Sequence, residues 1–403
     1  MPAMLAGVRV IDMTAVLMGP YATQLLGEMG ADVIKVEPPS GDTSRGIGAA
    51  RHPGMGAGFL QVNRHKRSIA IDIKKPEGRE LFLDLIREAD VCIYNVRPAA
   101  MARLGLTYDD LRSVNPKIIQ VGVFGYGQDG PYAAQPAYDD LIQGAIGLPS
   151  LVAQVGDGIA RYVPIVFIDR AVGLAAVNAV TAALFHRERT GQGQAIEVPM
   201  FETMVPFVMG EHMGGRSFDP PEGEFGYQRL LAAHRRPYCT LDGHVCAVIY
   251  TDRHWRSFYA LSGREEAFDA DPRLRTIGER TRHMDRLCEE LAEEFARHDT
   301  AYWVEALKRI DIPCTPLHTL STLRQDPHLE AIGYFERHEH PSEGALWQMR
   351  PAASSSLPAS PATRLAPRLG EHTIELLREL GRDEAQIRRL CETGVVRAET
   401  EPG

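Results

Sequence analysis

Short β-branched runs alternate with helical stretches through the first two hundred residues, a pattern that a parallel α/β sheet satisfies and an all-helical or all-β fold does not. Strands are expected at Val8–Met13, Asp32–Glu37, Ser68–Ile73, Asp90–Asn95, Lys117–Gly125, Tyr162–Ile168 and Gln194–Val198. Between them, helices are expected at Pro20–Glu28, Glu77–Glu88, Thr107–Val114 and Asp139–Leu148, with a longer one from Arg170 to His186. That last helix carries His186, Arg187 and Arg189 ahead of Thr190-Gly191, a cationic final turn before a glycine stop. From Met213 to His234 the texture changes to Gly, Pro and mixed charge, which marks a connection. Beyond it Tyr238–Leu241 and His244–Tyr250 flank the hairpin turn Asp242-Gly243, and helices are expected at Asp252–Leu261, Arg282–Ala296 and Ala301–Arg309. Pro341–Arg368, rich in Pro, Ser and Ala, reads as an extended return segment before helices Glu371–Leu380 and Asp383–Cys391.

A net charge of −9 gives no basic footprint, so no nucleic acid partner is expected. The six cysteines are widely spread, with neither a CxxC pair nor a Cys/His cluster at metal-ligand spacing, which points to a reduced, cytoplasmic setting and a site without metal. The first residues lead straight into a strand without signal-peptide character. No stretch reaches the roughly 18 uninterrupted apolar residues of a membrane span. The stretch after Asp169 comes closest, but its Ala, Asn and Thr content fits a buried core helix, so no membrane association is expected.

The first strand runs into Thr14-Ala-Val-Leu-Met-Gly-Pro20 and then a helix, with Pro20 at a favoured early helical position. The G-x-G-x-x-G of dinucleotide binding is missing there, and Walker A is absent from the chain. A helix start at this place either receives an anion or is merely a structural turn. Asp169 follows the apolar run Val163-Pro-Ile-Val-Phe-Ile168 and precedes the long helix, so it is expected at a strand-to-helix switch. Ligands of open α/β folds bind at that edge, where a helix N-terminus is expected to keep the acid ionised. Asp169 is then either a nucleophile or an N-cap. Lys66-Arg67, Lys74-Lys75, Arg97 and Arg103 fall at or near strand ends, as nucleotide-binding cations or as solvated charges.

An ordered set of segments resembles the class III CoA-transferases, the formyl-CoA transferase and carnitine CoA-transferase (CaiB/BaiF) family. It comprises Leu5-Ala-Gly-Val-Arg-Val-Ile-Asp12, Gly19-Pro20, Gly30-Ala-Asp-Val-Ile-Lys-Val-Glu37, Lys66-Arg67-Ser68 and Asn95 with Arg97-Pro98. It continues with Gly125-Tyr-Gly-Gln-Asp-Gly-Pro131, Tyr138-Asp139, Thr190-Gly-Gln-Gly-Gln194, Ile312-Pro-Cys-Thr-Pro316, Asp326-Pro327 and Leu369-Gly-Glu-His-Thr373. The resemblance implies a Rossmann-like large domain with a parallel sheet, built from both chain ends, plus a smaller α/β domain, in two ring-shaped chains interlocked as a homodimer. On this sequence that means 1–212 for the first part of the large domain, 213–330 for linker and small domain, and 331–403 for the returning part.

By the same resemblance Asp169 matches the nucleophile. Asn95 and Arg103 match positions at the nucleotide end of CoA, Lys74 matches another, and Ile71 matches an apolar position beside the adenine. Arg97 sits close by without an exact counterpart, and Tyr138 matches an active-site tyrosine. Val16, Leu17, Met18 and Gly19 complete the expected substrate pocket, with Met18 and Gly19 as candidate N–H donors to a developing oxyanion. Leu17 stands where formyl-CoA transferases have a glutamine, which argues against an oxalate-like acid. The implied reaction moves CoA from an acyl-CoA to a small organic acid through aspartyl anhydride and aspartyl-CoA thioester intermediates. CoA enters as substrate, and no permanently bound cofactor is expected.

Two alternatives stay open. An α-methylacyl-CoA racemase would need a histidine within a Gly-His-Asp segment, where this chain has Ala137-Tyr138-Asp139. A CoA-binding protein without turnover would use Asp169 only as a cap. His212, His234, His244 and His254 read as surface or packing residues, whereas Arg229, Arg235 and Arg236 offer cations for the far end of a dicarboxylate.

Overall fold

The computed structural model describes residues 3–353, 356 and 364–399. The chain forms two compact units, Met1–Ile146 with Pro164–Pro206 and Tyr334–Gly403, and Gly147–Val163 with Phe207–Gly333. Residues 147–163, kept with the large domain by the sequence reading, therefore cluster with the second unit. The later division falls at Pro206, inside a helix Met200–His212 that the sequence did not announce.

The first unit is organised by β1 (Arg9–Met13), β2 (Asp32–Glu37), β3 (Lys66–Ile71), β4 (Val91–Tyr94), β5 (Ile119–Phe124) and β6 (Gln194–Pro199). They pair in parallel in the order β3-β2-β1-β4-β5-β6, and the short strand Val396–Arg397 adds antiparallel to β3. Parallel strands are covered on both faces, and β3, β4 and β5 are accordingly buried at every position. One apolar cluster joins Ile11, Ile34 and Phe82 to Leu376, Leu377, Ile387 and Val396, so both ends of the chain share a core. Each such side chain contributes about 1.5–3 kcal/mol on burial.

The strand expected at Tyr162–Ile168 does not form. β6 occupies the sheet position beside β5, Pro164 offers no N–H to a ladder, and Ile165 is 64% exposed. The helix begins instead at Phe167 and runs to Thr190, closed by Gly191 in the left-handed region at φ +74°. It is long and apolar enough to cross a membrane, yet it buries Ile168, Val172, Ala176, Val180 and Ala183 within the unit. A hairpin forms, Phe335–His340 with Gly344–Met349, whose second strand falls in the segment Pro341–Arg368 expected to be an extended return. Residues 354–355 and 357–363 of that segment lie outside the described residues.

In the second unit the strands Tyr238–Cys239, His244–Ala247 and Cys314–Pro316 form an antiparallel sheet turned at Asp242-Gly243. Helices Asp252–Leu261, Met284–Phe295 and Thr300–Arg309 pack Trp255, Phe258, Phe295 and Trp303 into its core. The Trp303 indole N–H donates to the Phe295 carbonyl at 2.8 Å, so the buried ring keeps no unpaired donor.

Candidate functional site

The order of strands reverses between β1 and β4, and crevices for ligands open beyond the carboxyl ends of strands at such a point. A cavity of about 510 Å³ lies there, wholly within the first unit. Its walls come from the chain after β1 (Ala15, Val16, Leu17, Met18), after β4 (Asn95, Arg97, Arg103) and after β5 (Tyr126, Tyr138), together with Asp169.

The loop after β1 is held by charge buried beneath it. Asp12 accepts from the Thr14 backbone N–H at 2.9 Å and from the Thr23 hydroxyl at 2.7 Å, and pairs with Lys66 at 3.0 Å. Burial pushes the Asp12 carboxyl up, but Lys66, Lys35 and the two hydroxyls outweigh that and hold it at about 2. Lys35 pairs with Asp42 at 2.9 Å and donates to the Thr14 carbonyl at 2.8 Å. Asp42 also accepts from the Val16 N–H at 3.2 Å. Lys66 and Arg67, entertained as nucleotide-binding cations, are thus committed inside the protein, Arg67 to Asp32, Glu375 and Glu379.

Val16 has φ +70°, a left-handed conformation that costs a β-branched residue on the order of 1–3 kcal/mol. Asn95 fixes its neighbour from across the crevice, accepting from the Ala15 N–H at 2.9 Å and donating to the Ala15 carbonyl at 2.7 Å. Asn95 therefore lines the cavity as a clamp on this loop, with both ends of its amide engaged.

Asp169 lies in the first turn of its helix, half-buried, and among the described residues no donor is bonded to its carboxylate. Its backbone N–H donates to the Asp139 carboxylate at 3.0 Å, whose other oxygen accepts from the Gln143 amide at 2.7 Å. Burial first, and the Asp139 charge second, push the Asp169 carboxyl from its ordinary 3.8 up to about 7, with Arg170 acting in the opposite sense. The helix N-terminus was expected to keep it ionised; burial and a like charge win because Asp139, not Asp169, takes the N–H. A half-desolvated carboxylate without donors is a stronger nucleophile than a solvated one.

Arg97 and Arg103 line the same cavity, and among the described residues neither guanidinium makes an ion pair or hydrogen bond. Tyr138, 68% exposed, stands at its rim. Other expected residues lie elsewhere. Ile71 is 1% exposed, packed in the core at the end of β3 opposite Val396, and does not line the cavity. Lys74 follows in the turn after β3 and does not line the cavity. Gly19 sits behind the wall: a Cβ there would lie 2.3 Å from Thr14 Cβ, so glycine is required by that close approach. Asp139 was missed as the group that tunes Asp169; its place beside Tyr138 at a helix start was the available sign. Among the described residues, no group of three or more His, Cys, Asp or Glu side chains is placed to hold a metal ion.

Comparison with known proteins concerns the chain as a whole. The model of CoA-transferase family III matches residues 5–373. Succinate–glutarate CoA-transferase of Agrobacterium fabrum is 31% identical, over 93% of this chain and 95% of its own length. Formyl-CoA:oxalate CoA-transferase of Streptomyces avermitilis is also 31% identical, over 97% of this chain and 99% of its own. The crystal structure of a CaiB/BaiF family protein from Brucella suis superimposes with a TM-score of 0.78 at 30% identity, covering 94% of this chain and 100% of that one. The chain belongs to CoA-transferase family III, and it is a class III CoA-transferase.

Proposed function

We propose that this transferase moves CoA from a dicarboxylic acyl-CoA, such as succinyl-CoA, to a second small organic acid through covalent intermediates on Asp169. The observation that carries the reading is that Asp169, which among the described residues has no bonded donor, lines one cavity with Arg97 and Arg103, whose guanidiniums have no partner among the same residues. The ionised Asp169 carboxylate attacks the thioester carbonyl, forming an aspartyl-acyl anhydride and expelling CoA thiolate. The thiolate attacks the aspartyl carbonyl and releases the donor acid, leaving an aspartyl-CoA thioester. The acceptor carboxylate attacks that thioester, and the thiolate completes the cycle at the acyl carbonyl of the second anhydride. Each addition places charge on a carbonyl oxygen, for which the N–H of Met18, which lines the cavity at the start of helix Met18–Glu28, is the donor we assign. Val16, Leu17 and Met18 form an apolar wall that limits hydrolysis of the anhydride. Arg97 and Arg103 hold the phosphates of CoA.

Names of relatives that act on succinate, glutarate or mesaconate support dicarboxylic substrates. The proton-shuttling alternative lacks an imidazole, since no histidine is among the residues lining the cavity. We also propose a homodimer: Leu174, Asn178, Ala182 and Phe185 form an exposed stripe along the Asp169 helix, apolar at three of four positions. Light scattering checks that assembly. The chemistry is tested by mass spectrometry of the enzyme with succinyl-CoA alone, which should add the mass of CoA less water at Asp169, and by hydroxylamine, which should inactivate only in the presence of acyl-CoA. Full CoA exchange by Asp169→Ala in a correctly folded protein refutes the reading.

A further inference from the structure

The second unit contains a cavity of about 230 Å³ that shares no lining residue with the Asp169 cavity. Arg229, Arg235 and Arg236 line it together with Val248, Ile249 and Trp255. Several other arginines in this unit are neutralised: Arg216 pairs with Glu224, Arg256 with Asp269, and Arg273 with Asp271 and Glu290. Among the described residues none of the three cavity guanidiniums makes an ion pair, in a chain whose net charge is −9.

Arg229 is the anchor. It lies 5.0 Å over the Tyr250 ring, and its Nε is buried without a hydrogen-bond partner among the described residues. A buried donor left unpaired is costly, and two exposed arginines on the same cavity add positive charge beside it, so the arrangement favours an anion. The nearby acid, Asp285, does not serve, because its Oδ1 accepts from the His234 backbone N–H at 2.9 Å and lies 3.0 Å from the same residue's ring nitrogen. Arg229 and Arg235 both act electrostatically on the buried Tyr238 hydroxyl and Cys288 thiol, which places the two cations around one wall. Guanidinium forks match carboxylate and phosphate alike, but the cavity is also lined by hydrocarbon and indole.

We propose that the second unit carries a binding site of its own for a small organic acid, with the carboxylate held by Arg229, Arg235 and Arg236 and a short hydrocarbon body against Val248, Ile249 and Trp255. Cys246 lines this cavity and exposed Cys239 does not, so alkylation reads the site locally. The full-length protein is treated with iodoacetamide in the presence of glutarate, benzoate or inorganic phosphate, and each cysteine is followed by peptide mass spectrometry. An acid at four times its Kd slows Cys246 alkylation about fivefold by mass action and leaves Cys239 unchanged. Phosphate at equal concentration protects less. Protection is lost in Arg229→Gln/Arg235→Gln/Arg236→Gln and retained in Asp169→Asn. An unchanged Cys246 rate with both acids overturns the proposal in the wild-type protein, whatever the variants do. Protection that survives loss of the three arginines overturns it as well, as does equal protection by phosphate, which would mean a bare anion patch. Loss of protection in Asp169→Asn would assign the effect to the other cavity and leave the covalent mechanism standing.

Discussion

Replacing Asp139 by Asn removes one negative charge beside Asp169 while keeping an oxygen to accept its backbone N–H, now at 3.0 Å. Unit charges about 5 Å apart interact by about 1.7 kcal/mol at an effective dielectric of 40, roughly one pH unit. Desolvation is the larger cause of the rise to about 7, so it remains, and the Asp169 pKa should fall to near 6. Only the ionised carboxylate attacks a thioester, so kcat/KM should rise with pH through a limb near 7 in the wild type and near 6 in Asp139→Asn. Initial rates of CoA exchange from pH 5 to 8.5 at low succinyl-CoA measure both limbs. A limb that stays in place, or moves upward, refutes the electrostatic link between these two acids.

Asp169→Asn should also stabilise the protein at alkaline pH. The raised pKa means that ionisation costs the folded state, starting near pH 3.8 and complete above about pH 7. The variant should therefore equal the wild type at pH 4 and exceed it by about 2 kcal/mol at pH 8 after solvent screening, as read from thermal melts at both values. Asn95→Ala leaves the Ala15 N–H and carbonyl without their partner and should cost about 1–3 kcal/mol, with a fall in kcat larger than any change in binding of free CoA measured by calorimetry. Lys66→Met strands Asp12 and should cost about 3–5 kcal/mol in chemical denaturation, with Asp12→Asn in the same background recovering part of the loss.

β1, β2, β4 and β5 were legible because strands covered on both faces keep near-continuous apolar runs bounded by turn residues. β3 was read two residues late: Lys66 and Arg67 look like a polar approach, yet each is a strand residue whose charge is met by carboxylates distant in sequence. Tyr162–Ile168 was misread for the opposite reason, since β-branched composition cannot tell whether a neighbouring strand is free to pair. The hairpin at 335–349 escaped notice because Glu336, Arg337, His338 and Glu339 carry no apolar alternation. Asp169 and the loop after β1 could be located from local pattern and resemblance. The tuning of Asp169 by Asp139 could not, because it depends on an approach between residues 30 positions apart.

The closure of the sheet by Val396–Arg397 constrains the timetable of synthesis. Residues 9–124 leave the ribosome with five neighbouring strands but without the helices Thr373–Glu379 and Glu384–Glu392 that complete their core. Some 250 further residues are made before that cover arrives, and an apolar sheet face waits in the interval. The inserted second unit, whose three strands and aromatic core fall within residues 238–316, can mature while the first half is still waiting. A nascent chain stalled short of the final helices would thus present one finished module beside one half-clad sheet, the state that chaperones attend.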